Sequence, residues 1–100
     1  MTKEEHLLTC LAEECAEVAQ RVSKALRFGT TEIQQGQPLD NAARIMSEIN
    51  DLIAVIEILQ TVKVLLSGPD RTAINAKKNK LIEWIRYSET CGTLTDSANG

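Results

Sequence analysis

Two short acidic stretches carry the chemistry this chain could do. Glu13-Glu14-Cys15-Ala16-Glu17 and Glu48-Ile49-Asn50-Asp51 each set two carboxylates three positions apart. Residues at that spacing on a helix share a face, so Glu14 and Glu17 can converge on one point, as can Glu48 and Asp51. Four acids meeting between packed helices repel one another and lose hydration. A hard divalent cation removes both penalties. All-oxygen donors suit Mg²⁺, Mn²⁺ or Ca²⁺ rather than zinc or copper. Di-iron carboxylate bundles need Glu-x-x-His on their helices, and the sole histidine, His6, is read as a surface residue of a first helical turn. No serine or cysteine is expected to have a histidine base beside it, so a covalent mechanism lacks its parts. The plain alternative stays open, because Glu-x-x-Glu is common on solvated helix faces.

Helices must position these acids. Leu7, Leu11, Cys15, Val18, Val22 and Leu26 recur at spacings of three and four, which predicts a core-facing helix over 3–28. Thr2 and Glu5 form a capping box at its start, and Gly29 suits a left-handed position at its end. Residues 30–40 read as a polar connection, with Gly36 and Pro38. Its length is near the limit for a structureless link, which hints at a role of its own. Asp40 caps a second helix, predicted over 41–66. Leu52, Val55, Leu59, Val62 and Leu66 form one stripe there, and Ile45, Ile49, Ile53 and Ile56 form another beside it. A helix apolar on most of its circumference is buried from more than one side, which calls for a partner subunit. Glu48 and Asp51 are expected on the Leu52-Val55-Leu59 side, and charges among apolar residues are paired or bind metal. Ser67-Gly68-Pro69-Asp70 ends that helix and caps a third, predicted over 71–87 with Ile74, Leu81 and Ile85 inward. The domain is expected to span 1–88, with a frayed tail over 89–100.

Bulk properties narrow the class. One hundred residues make one small domain with a modest core, which again favours self-association. A net charge of −3 gives no footprint for duplex nucleic acid. The longest apolar-rich stretch, 45–66, is interrupted by Glu48, Asn50, Asp51, Glu57, Gln60 and Lys63 and is not a membrane span. Cys10, Cys15 and Cys91 are odd in number and form no Cys-x-x-Cys pair, which suits a reducing cytoplasm. The N-terminus is not a signal peptide. Lys24, Arg27, Lys77 and Lys80 are either solvated charges or contacts for phosphate oxygens. Phe28, Trp84 and Tyr87 either pack at helix ends or stack on a base.

The run Leu11-Ala12-Glu13-Glu14-Cys15-Ala16-Glu17-Val18-Ala19-Gln20, followed by Lys24-Ala25-Leu26-Arg27-Phe28-Gly29, resembles the short phage-type members of the MazG-like all-α nucleoside triphosphate pyrophosphohydrolases. Glu48-x-x-Asp51 and Lys77-x-x-Lys80-Leu81 are similar to the patterns that follow in that family, so the likeness spans 7–88. The resemblance implies an all-α bundle of about three helices per chain, completed as a homodimer or homotetramer. It implies Mg²⁺, replaceable by Mn²⁺, held by Glu14, Glu17, Glu48 and Asp51. Glu13 would support those ligands or orient the attacking water. The reaction implied is hydrolysis of a ribo- or deoxyribonucleoside triphosphate to the monophosphate and pyrophosphate, in the host cytoplasm if the chain is phage-encoded. Phosphoribosyl-ATP pyrophosphohydrolase, a related bundle, is the enzymatic alternative. A helical oligomerisation or regulatory module with solvated acids is the non-enzymatic one.

Overall fold

The computed structural model describes residues 1–95, and they form three helices and no strand. The first, α1 (Lys3–Phe28), starts at the expected capping box. Thr2 Oγ1 accepts from the Glu5 N–H at 3.0 Å and Glu5 Oε1 accepts from the Thr2 N–H at 3.3 Å. Two orphan donors of the helix start are thereby satisfied. Gly29 follows as expected but is not left-handed helical: its φ of 99° and ψ of 147° carry the chain away extended. That region of backbone space is close to glycine-only.

Asn41 explains this exit. It is 3% exposed. Its Nδ2 donates to the Gly29 carbonyl and to Glu32 Oε1, both at 2.8 Å. The Asn41 and Ala42 N–H groups donate to the carbonyls of Glu32 and Thr30. One buried amide therefore closes the loop between two helices. Asn41→Ala should remove the buried amide that bonds the Gly29 carbonyl and Glu32, and cost about 1–3 kcal/mol. A denaturant titration with an unchanged midpoint would show that the loop is held by other means.

Asp40 caps α2 (Asn41–Thr61), its Oδ1 accepting from the Ala43 N–H at 2.8 Å. The expected end at residue 66 is wrong by more than a turn. Lys63 takes a φ of 64°, its N–H donates to the Gln60 carbonyl, and the Val64 N–H donates to the Leu59 carbonyl. These are the two bonds of a Schellman stop. A lysine stands where glycine is usual, so the sequence carries no visible stop. Leu66 thus lies outside the helix and is exposed.

Within the unit Met1–Ser67, α1 and α2 pack as an antiparallel hairpin. Leu59, near the end of α2, is fully buried, and Ala25, near the end of α1, is nearly so. The packed face of α1 differs from the expected stripe. Leu7, Leu11 and Val18 are half-buried as expected, but Cys15, Val22 and Leu26 are exposed. Glu14, Arg21 and Ala25 take their places against α2. The expected stripe advances mostly by fours, drifting around a helix of 3.6 residues per turn, whereas 14, 18, 21 and 25 hold one line. The hairpin seam is therefore partly polar, and the apolar stripe faces sideways.

The second unit begins at Gly68 and holds α3 (Arg71–Cys91). Asp70 caps it, accepting from the N–H groups of Thr72 and Ala73. It runs past the expected end at Tyr87 and stops at Gly92, left-handed with a φ of 74°. Residues 89–91 of the expected tail are thus helical, and 96–100 lie outside the described residues. No described helix is long and apolar enough to cross a membrane.

Candidate functional site

The hairpin brings three of the expected acids together. One carboxylate oxygen from each of Glu14, Glu17 and Glu48 lies within 4.8 Å of the other two. Opposite ligands of an octahedral Mg²⁺ stand about 4.2 Å apart, and those of Ca²⁺ about 5 Å, so this spread fits a hard cation. Acids also cluster on helix faces with no ion. Two atoms set this cluster apart: Glu14 Oε2 and Glu48 Oε2 are buried and have no hydrogen-bond donor. Buried acceptors with no donor are rare and call for an explanation.

Burial pushes the Glu48 carboxyl above its ordinary range. A hydrogen bond to the Glu17 carboxyl, the negative charge of Glu17 and then that of Asp51 push the same way, against the Arg21 guanidinium. The crowding of carboxyls therefore disfavours a bare negative charge on Glu48.

The remaining acids sit less centrally. Asp51 is exposed and outside the three-oxygen group, although its charge reaches Glu48. It does not share the half-burial of Glu48 that the apolar stripe led one to expect. Glu13 is exposed. Lys77 and Lys80 are exposed on α3, which belongs to the other unit.

Lys24 and Arg27 line a cleft of about 400 Å³ at the loop end of the hairpin, with Phe28, Glu32, Gln34, Asn41 and Arg44. Its Arg27 guanidinium stands 5.1 Å from the Phe28 ring centroid, within cation–π range. Arg44 donates to Gln34 Oε1 at 3.1 Å, which anchors the loop to α2. Three cations against one carboxylate, Glu32, which Asn41 already engages, leave a net positive surface with an aromatic ring and two amides, suited to an anionic, partly aromatic ligand. Lys24 is seven residues beyond Glu17, a rise of about 10 Å along the helix.

Arg21, Asn41 and Arg44 were not singled out by spacing or type. Arg21 could have been found by extending the line from Glu14 and Glu17 one turn further. Asn41 and Arg44 depend on the loop conformation, which no local pattern signals. One expectation about cysteine also fails: Cys10 Sγ lies 3.7 Å from His6 Nε2, one helical turn away. His6 is exposed, and neither residue belongs to the carboxylate cluster.

No protein-family model, curated protein or solved structure matches this chain.

Proposed function

We propose that this chain is a metal-dependent nucleotide pyrophosphohydrolase of the MazG-like all-α kind, working as a homo-oligomer. The observation that carries the reading is the trio Glu14, Glu17 and Glu48, two of whose oxygens are buried without donors between α1 and α2. These residues would hold Mg²⁺ or Mn²⁺, with Asp51 at the exposed edge. Such an ion supplies charge neutralisation for in-line displacement at phosphorus. Glu13, exposed beside Glu14 on α1, would support those ligands or orient the attacking water. Lys24, Arg27 and Arg44 would draw the phosphate chain towards the cleft, where Phe28 offers a face for a base.

A panel of ribo- and deoxyribonucleoside triphosphates with Mg²⁺ tests this directly. The expected products are the monophosphate and pyrophosphate, with turnover stopped by EDTA. Diphosphate appearing first would reject cleavage between the α- and β-phosphates. Phosphoribosyl-ATP belongs in the same panel as the related substrate. A melting temperature unmoved by Mg²⁺ and Mn²⁺ would instead favour a helical oligomerisation module.

A further inference from the structure

Arg21 is 9% exposed, and its Nη1 has no hydrogen-bond acceptor. A guanidinium keeps its charge at every pH the fold survives, so burying its donor without a partner is costly. Arg21 lies one helical turn beyond Glu17 and two beyond Glu14, and its charge acts on Glu48. The hairpin thus sets a buried donor without an acceptor beside two buried acceptors without donors, Glu14 Oε2 and Glu48 Oε2.

The obvious pairing, Nη1 against a carboxylate, is not made. A bare cation would satisfy the acceptors but face the guanidinium with like charge. An oxyanion alone would satisfy the guanidinium but face the acids. A cation accompanied by an oxyanion satisfies all three. We infer that Arg21 is an oxyanion-binding residue of this site, its Nη1 donating to a phosphate oxygen of a di- or triphosphate that enters together with its cation. The site then selects the cation–phosphate pair over the free cation. Glu17, Arg21, Lys24 and Phe28 follow at i, i+4, i+7 and i+11 along one side of α1. The ligand therefore runs from the acids, past Arg21 and Lys24, to the cleft at Phe28. This inference rests on the reading of Glu14, Glu17 and Glu48 as a cation site.

Calorimetric titration of the full chain with Mn²⁺, and with Mn²⁺ plus imidodiphosphate, separates the two claims. Arg21→Met keeps the apolar stem and removes the charge. It should bind free Mn²⁺ as tightly as the native chain or more tightly. It should bind the Mn²⁺–imidodiphosphate pair about tenfold or more weakly, the loss of one charge-assisted hydrogen bond. If Arg21→Met loses its helical circular dichroism, Arg21→Gln carries the same test. Unchanged binding of the pair by a folded variant would overturn the inference, as would equal loss of free Mn²⁺ and of the pair. A native chain that binds no Mn²⁺ would overturn the cation site and the inference with it.

Discussion

Glu48→Gln should leave the metal-free chain as stable as the native one, or slightly more stable, while removing most of the stabilisation that millimolar Mg²⁺ confers. Glu48 is half-buried, its Oε2 has no donor, and the charges of Glu17 and Asp51 both bear on it. A neutral amide of the same shape relieves that repulsion. It also removes one of three clustered oxygens, and a ligand stabilises only the state that binds it. Hydrolysis should fall nearly to background. Melting curves of both proteins with and without Mg²⁺ decide the matter. A structural Glu48 gives the reverse pattern: lower metal-free stability and an unaltered metal response.

The same residue sets a pH dependence of known sign. The Glu48 carboxyl is held above its ordinary value of 4.5, chiefly by burial. The folded state then binds that proton more tightly than the unfolded chain does. Its contribution is full below 4.5 and is lost as pH rises through the folded value. The metal-free native chain should therefore lose stability over that rise, and Glu48→Gln should flatten the slope.

What the sequence made legible was periodic or capped. The helix starts at Thr2, Asp40 and Asp70 each follow from a side-chain oxygen placed before a helical run. Glu14 and Glu17 could be paired from spacing alone because a helix fixes which residues share a face, whereas Glu48 joins them, without Asp51, only through the packing of α2 on α1. The stop at Lys63 was hidden because a non-glycine residue takes the left-handed position, with its own N–H and those of Val64 and Leu65 bonded to the carbonyls of Gln60 and Leu59. The role of Arg21 was hidden for a related reason. Its neighbours Val18 and Val22 announce an apolar helix, and periodicity counts hydrophobes without asking which line between them meets the partner helix. The cleft at Arg27 and Arg44 is a product of loop closure by Asn41, a long-range event with no local signature.

The rotation of the α1 stripe bears on assembly, where a second large effect is expected. Leu26 is 83% exposed, and Leu8, Val22, Met46 and Ile53 are exposed with it. Against these, the fully packed apolar residues among those described are Ala25 and Leu59. Two helices sharing so small a core do not bury enough surface to hold a fold alone. A second copy covering the side of the hairpin would bury the stripe that the seam leaves out. Light scattering at micromolar concentration should then give at least twice the 11.0 kDa of one chain. Leu26→Arg combined with Ile53→Arg should drive the particle to the monomer mass and, because the copies share their core, should sharply lower the melting temperature as well. Both charges are placed on residues exposed in the single chain, Leu26 the more so. A native chain that is monomeric, folded and active at 11.0 kDa would refute the assembly. So would a double variant that keeps both its mass and its melting temperature, because exposed arginines are tolerated only where nothing packs against them.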